Sequence, residues 1–502
     1  MASKIFMGDM PELMESILNN LNNEIYSLYS CALVNRHCCK MSIPILWQDP
    51  FSFKQNSLFI STYFSSLGED EKLALKECGI NVKFSKKLFD YARFLKVLDL
   101  LLIKPKVMQW INFQHVHPEP SIQSIYRVVN LLIKLFIESG ATLHKLIYFP
   151  NDEINPETFY VLEQNELFFS QLRDFSLEME LSFLSIEHAI KLLRILEKNA
   201  KKISALKFVK FDPKYELQLF DSFKCLIKSQ EQLRKFSLII GKEFHARYQG
   251  MISVLECQKN SLQELMIENC GYSAEFEKLN NCKILETLRI WHCDTKLLKI
   301  LNCEISTLEI VNFELNASTI IQILKKSGLL LQRLKLGSLC KMLEEESLLL
   351  ESLKRFCPNI KYLNIMNIGF STQFLELIYN LQDLQFLTFA CVDNIPEEEL
   401  KIQVIQFAKI LPLTLQYLDL KSFWLNSYME LLLNNCNSPL KKLLIYQLDN
   451  EKDSKALIEF CIRIKTLNYV GLDRYWIFND NNRKKVESYV KLIPYERIVV
   501  NC

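Results

Sequence analysis

The residues able to do chemistry in this chain of 502 residues are scattered. His115-x-His117 is the only close histidine pair; it lies in a Pro-flanked loop with no Cys, Asp or Glu at ligand spacing, so no metal site is expected. Cys270 in LQELMIENC and Cys293 in LETLRIWHC stand at the same place in a recurring motif. A small buried side chain suits that place better than a nucleophile, although Asp294 follows Cys293 directly. The carboxylate runs near Glu344 (EEES) and Glu397 (PEEEL) sit where helices begin and read as solvated first turns. A Gly-rich phosphate loop and a G-x-S-x-G elbow are both absent from the sequence. The expectation is a chain without catalytic residues, cofactor or metal. What remains is recognition chemistry, in arginines, lysines and aromatics that could form charge-assisted bonds or be buried by a partner.

Those side chains need elements to hold them, and the sequence supplies a repeat. Apolar-x-x-apolar-x-apolar recurs as LKVLDL from Leu95, LHKLIY from Leu143, LRDFSL from Leu172, ISALKF from Ile203 and LRKFSL from Leu233. It continues as LQELMI from Leu262, LETLRI from Leu285, ISTLEI from Ile305, LQRLKL from Leu331 and IKYLNI from Ile360. LQFLTF from Leu384, LQYLDL from Leu415, LKKLLI from Leu440 and IKTLNY from Ile464 complete the series. From Leu143 onward the starts fall roughly 20–31 residues apart, the spacing of leucine-rich repeats. In each hexapeptide the last two apolar residues are two apart and face one core from a short strand. No unit buries its apolar edge alone, so neighbours must stack into a parallel sheet.

Amphipathic stretches 186–199, 318–328, 371–380 and 454–464 alternate with these strands. The expected fold is therefore α/β: a leucine-rich-repeat solenoid over residues 95–502, a horseshoe with strands on the concave face and helices outside. Its C-terminal residues should form a helix and a closing strand, and the long gap between Leu95 and Leu143 should hold an inserted loop. Residues flanking the strand apolars point outward. Among them Arg289, Trp291, Arg333, Lys335, Tyr362, Phe386, Tyr417 and Asp419 mix aromatics with both signs of charge and are the candidate substrate-binding residues. Arg289, Arg333 and Lys335 are of a type that would also suit a phosphorylated partner.

Ahead of the repeats, Met10–Trp47 has apolar residues on helical spacing: Leu13, Ile17, Leu18 and Leu21, then Tyr26, Tyr29, Leu33 and Val34. Asn22 and Asn23 separate the two stripes, and Pro44 is expected to break or kink the chain before Ile45, Leu46 and Trp47. A piece this short cannot bury much core, so it must pack on the next domain or be completed by a partner. One reading of the pattern is an N-terminal helical cap.

The same stretch resembles the F-box. The matching residues are Glu12, Leu13, Ile17, Leu18, Leu21, Leu33, Val34, Arg36, Leu46 and Trp47. Pro11 falls one residue later than the family's proline, and Cys38 stands where the family has a tryptophan. The resemblance implies an all-α module over residues 1–50 that docks on the Skp adaptor of an SCF-type ubiquitin ligase and, through it, on a cullin scaffold. By that resemblance Met10, Pro11, Leu13, Ile17 and Leu18 would meet the adaptor, with Leu33, Val34 and Trp47 in support. Residues 51–94 would be a helical and loop connector, and the repeats would capture a substrate protein for ubiquitination. A repeat scaffold or inhibitor acting outside any ligase is the alternative.

Sixty basic against 58 acidic residues leave a net charge of +2, which argues against a general nucleic-acid or anionic-membrane partner. No run of about 20 uncharged apolar residues occurs, so no membrane span is expected. MASKIFMGDMPEL lacks the apolar core of a secretory signal, and the 16 cysteines include no C-x-x-C pair. Reduced thiols and a cytoplasmic or nuclear place are expected.

Overall fold

A computed structural model describes residues 11–21, 24–53, 56–65, 67–80, 88–114, 121–150, 154–179, 183–211, 217–241, 250–302, 304–312, 315–338, 345–392, 396–421, 423–446, 451–473, 480–495 and 498. Those up to Gln258 form one compact unit and those from Lys259 a second.

The described residues of the first unit begin with the helices α1 (Pro11–Asn20), α2 (Ile25–Ala32) and α3 (Arg36–Leu46). Met14, Leu18, Leu28, Cys38 and Ile45 close a small core of their own among them. Asn35 caps α3, its side-chain oxygen accepting the Cys38 N–H at 2.8 Å. Pro44 does not break this helix, which runs on to Leu46. Proline removes only one ladder bond, and this one lies in the last turn.

Beyond α3 the chain enters a cluster of rings. Trp47 packs on Tyr63 (5.1 Å between centroids) and Tyr91 (4.4 Å), Tyr63 on Phe136 (5.0 Å), and Phe64 on Trp110 (5.1 Å). The expected inserted loop after Leu95 is instead largely helix, Leu100–Gln114 followed by Ile122–Glu138. Pro105 is accommodated inside the first of these, and the Trp110 indole N–H donates to the Ser61 hydroxyl at 2.8 Å.

Five strands follow in this unit: β1 (Val97–Asp99), β2 (Lys145–Tyr148), β3 (Asp174–Glu178), β4 (Ala205–Phe211) and β5 (Lys235–Ile240). All neighbouring pairs are parallel, and Leu98, Leu146, Phe175, Leu206 and Phe236 stand in one register row. Each repeat hooks onto the one before through a shared carbonyl: the Arg173 and Asp174 N–H groups both donate to the His144 oxygen, at 2.9 and 3.0 Å. Lys96 and Val97 donate in the same way to Gln48, at 2.9 and 3.0 Å. The chain leaving α3 thus takes the place of a preceding repeat and covers the β1 edge.

Among its described residues the second unit contains ten strands: β6 (Glu264–Glu268), β7 (Thr287–Trp291), β8 (Thr307–Asn312), β9 (Arg333–Ser338), β10 (Tyr362–Gly369), β11 (Phe386–Val392), β12 (Tyr417–Leu420), β13 (Lys442–Ile445), β14 (Tyr469–Leu472) and β15 (Lys491–Pro494). They pair in parallel in sequence order. One row is leucine from Leu265 to Leu443, then Val470 and Leu492. Helices cover this side; Phe389, for example, packs against Phe374 and Phe407 at 5.5 and 5.1 Å. Asn269 and His292 take left-handed backbone (φ 59° and 52°) directly after β6 and β7. Both units are leucine-rich-repeat solenoid in architecture, α/β with parallel strands. The closing helix Asp480–Glu487 and β15 match the sequence reading. The last hexapeptide does not: the strand belongs to LNYVGL from Leu467, three residues beyond the predicted IKTLNY. Ile464 is apolar but ends the helical turn, whereas Leu467, Val470 and Leu472 are buried.

Candidate functional site

Two surfaces carry the candidate residues, one in each unit. On α1, Leu13 and Ile17 are one turn apart and exposed, Ile17 by 42%. Met14 and Leu18 occupy the adjacent stripe and face inward. Leu18 is therefore a core residue, 1% exposed, and not a contact residue as its place in the motif implied. On α2 the buried residues are Leu28 and Ala32, while Tyr26, Tyr29 and the C-cap Leu33 recur at i, i+3 and i+7 and stay exposed, with Val34 beside them. Tyr26 is 82% and Leu33 70% exposed. A module with a finished core thus keeps a second apolar stripe open to solvent. Trp47 belongs to the ring cluster behind the module, against Phe59, Tyr63 and Tyr91. Cys38 fills the core position with a small side chain. Of the module's candidates, Met10 lies outside the described residues, as do Asn22, Asn23 and both His115 and His117.

In the second unit the strand residues that alternate with the core row form an open face. Arg289 lies between two carboxylates: it pairs with Glu264, and its Nε donates to Glu309 Oε1 at 2.8 Å. The Lys335 ammonium is 3.9 Å from the other Glu309 oxygen and 5.1 Å from the centroid of the Trp291 ring. Register explains the network, because Met266, Arg289, Glu309, Lys335 and Asn364 are successive neighbours across β6–β10. Arg333, Thr307 and Tyr362 complete a cleft beside these residues. Tyr362, Phe386 and Tyr417 then form a ladder, with centroids 6.2 and 5.9 Å apart, in which Tyr417 is buried and so, unlike the sequence expectation, is not an open contact residue.

Asp419 is not available on this face. It is 2% exposed, and the Tyr495 hydroxyl donates to its Oδ2 at 2.8 Å. Burial pushes the Asp419 carboxyl above its ordinary value, with the Tyr495 hydrogen bond pulling the other way. Burial likewise pushes the Tyr495 hydroxyl up, helped by the Asp419 charge. Beyond β15, Tyr495 and Ile498 lie against the row Asp419, Leu444 and Gly471: a β-carbon on Gly471 would stand 2.8 Å from the Ile498 Cδ1. Sequence reasoning missed Tyr495 and Ile498. Gly471 was the available signal, since a glycine inside a strand often marks a close approach.

Cys270 and Cys293 sit as expected of structural thiols, whereas Cys225 and Cys257 are exposed. Cys293 Sγ accepts the Cys270 N–H at 3.3 Å, and its own thiol is directed at the Trp291 carbonyl at 3.1 Å. Burial, and then Cys293, push the Cys270 thiol well up, the reverse of what a nucleophile needs. The carboxylates at the two helix starts divide: Glu397 and Glu398 pair with Lys401 in solvent, while Glu346 accepts the Gly369 N–H at 2.8 Å. Among the described residues no group of three or more His, Cys, Asp or Glu could hold a metal ion.

No family model matches the chain, and no curated protein matches it. Among solved structures it is similar to the crystal structure of the Rad7 and Elc1 complex in yeast (TM-score 0.37, 13% identity), a match that covers 74% of this chain and 82% of that one. It is also similar to an LRR protein of Leptospira interrogans (TM-score 0.33, 14% identity), with 71% of this chain and 97% of that one covered.

Proposed function

We propose that this chain is a substrate-recognition subunit of an SCF-type ubiquitin ligase. The N-terminal helices dock on the Skp adaptor, and through it on a cullin scaffold, while the repeats hold a substrate protein. The observation that carries the reading is that Leu13 and Ile17 on α1, and Tyr26, Tyr29, Leu33 and Val34 on and just after α2, stay exposed on a module whose own core is already closed. Apolar side chains gathered on one small module are what a partner surface buries. The chain itself contributes no catalytic residue in this reading. It acts by proximity, turning the meeting of substrate and ligase into a tethered event in the cytoplasm or nucleus. Co-purification with the Skp adaptor tests it: a stable complex at micromolar concentration is expected, and its absence would sink the proposal.

A further inference from the structure

The open face of the second unit changes character along its length. At the first strand position β6 to β8 present Glu264, Thr287 and Thr307, and Glu286 stands just before β7. From β9 to β15 that same position reads Arg333, Tyr362, Phe386, Tyr417, Lys442 and Tyr469, then Lys491. The positions just before those strands add Lys361 and Lys441, both exposed, among glutamines and an asparagine. No carboxylate occurs at either position over this length. In the first unit the same two positions carry Lys96, Lys145, Arg173, Arg234 and Lys235, but there a carboxylate also stands in the row, Asp174, 3.7 Å from Lys145. Arg333, Lys442 and Lys491 form no salt bridge among the described residues, and Lys491 lies 5.7 Å over the Tyr469 ring. One row deeper the face is filled: Glu309 is held by Arg289 and Lys335, Asn364, Thr388 and Asp419 are buried, and the chain after β15 covers Gly471.

We propose that this edge of the open face binds an extended acidic segment of a partner protein, with carboxylates on Arg333, Lys442 and Lys491 and apolar side chains on Tyr362 and Phe386. The proposal names the chemical class of the substrate protein inferred above and rests on that reading only for the partner's fate. Strand pitch gives it a ruler. Neighbouring strands are about 4.8 Å apart, so Arg333 and Lys442 are about 19 Å apart and Lys442 and Lys491 about 10 Å. In an extended polyproline II segment, with about 3.1 Å and a third of a turn per residue, the matching acids are about six and then about three residues apart and share one side. A nucleic-acid strand fits less well. Its phosphates are evenly and closely spaced, whereas this row has rings at three successive positions, and the whole chain carries a net charge of only +2.

The test uses the full chain and fluorescein-labelled synthetic peptides in anisotropy titrations. One peptide has glutamates at those two spacings with leucines between them; a second has glutamine in their place; a third has lysine; a thymidine oligonucleotide is the fourth probe. The glutamate peptide should bind at least about tenfold more tightly than the glutamine peptide and weaken with added salt. The double variant Arg333→Glu, Lys442→Glu should lose that preference and accept the lysine peptide, with its melting curve unchanged. Equal binding of glutamate and glutamine peptides, indifference to the charge reversal, or tighter binding of the oligonucleotide would each overturn the proposal. Adaptor co-purification of the same variant should be unaffected, so failure at this face and failure of the ligase reading are separately visible.

Discussion

Ile17 and Leu18 are neighbours on α1 with opposite surroundings, and substituting each separates docking from folding. Leu18 sits in a core of five buried residues, so Leu18→Ala should cost about 2–5 kcal/mol, more than a module of this size can spare. Ile17 is 42% exposed, so slightly more than half of its contact is internal. Full burial of an isoleucine contributes about 1.5–3 kcal/mol, which puts the folding cost of Ile17→Asp near 1 kcal/mol. Docking would bury the rest. The variant then forfeits about another 1 kcal/mol and must desolvate an unpaired carboxylate, which costs several more. A total of about 4 kcal/mol is about a thousandfold in affinity. Calorimetric titration with purified Skp adaptor, beside thermal melts followed by circular dichroism, reads both quantities. Ile17→Asp should keep most of its melting transition and lose the adaptor; Leu18→Ala should lose the module's cooperative transition. Adaptor binding by Ile17→Asp within about threefold of the parent would refute the docking face. A melt as damaged as that of Leu18→Ala would refute the assignment of the two stripes.

Three further substitutions probe the repeats. Arg289→Met leaves Glu264 and Glu309 without the cation between them and should cost about 1–3 kcal/mol in urea unfolding, with no loss if the network is idle. Gly328→Ala would set a methyl carbon 2.5 Å from the carbonyl oxygens of both Leu324 and Phe356, neither of which can swing away. A loss of about 2–4 kcal/mol is expected from this contact between successive repeats, and an unchanged urea midpoint would contradict it. Asp419 is held above its ordinary 3.8 chiefly by burial, so between that value and its folded value the native state binds more protons than the unfolded chain. Its contribution to stability therefore falls as pH rises through that window. Asp419→Asn should gain on the parent between pH 4 and pH 7, and an equal gap at both, by urea unfolding, would show that Asp419 does not titrate as its burial demands.

The repeats were legible because their signal is redundant: a row running from Leu265 to Leu443 repeats one residue type at one place in the motif. Where two apolar residues competed the reading slipped, as at Ile464 and Leu467, because spacing alone does not separate the last turn of a helix from the approach to a strand. The same ambiguity hid Leu18. Periodicity identifies an apolar face but not which of two adjacent stripes turns inward; that depends on Leu28, Cys38 and Ile45 arriving from other helices. Tyr495 and Asp419 are far apart in the chain, and no local pattern announces a hydrogen bond between them. The gap after Leu95 suggested a loop where the helix Leu100–Gln114 runs, because burial of Ile103, Val107, Trp110 and Ile111 outweighs the one backbone bond lost at Pro105.

The attachment of the module bears on its use. A docking surface on a flexible stalk would sweep a volume, and the effective concentration of anything held beyond it would fall with the length of the stalk. Here Gln48, two residues after α3, accepts both N–H groups that open β1, in the pattern by which later repeats join their predecessors. Trp47 is wedged among Phe59, Tyr63 and Tyr91, so the joint is packed as well as hydrogen-bonded. Within the first unit, then, the exposed stripe of α1 and α2 stands in fixed relation to the sheet. In the function proposed above, where one partner would be placed near another, that joint would share in the mechanism.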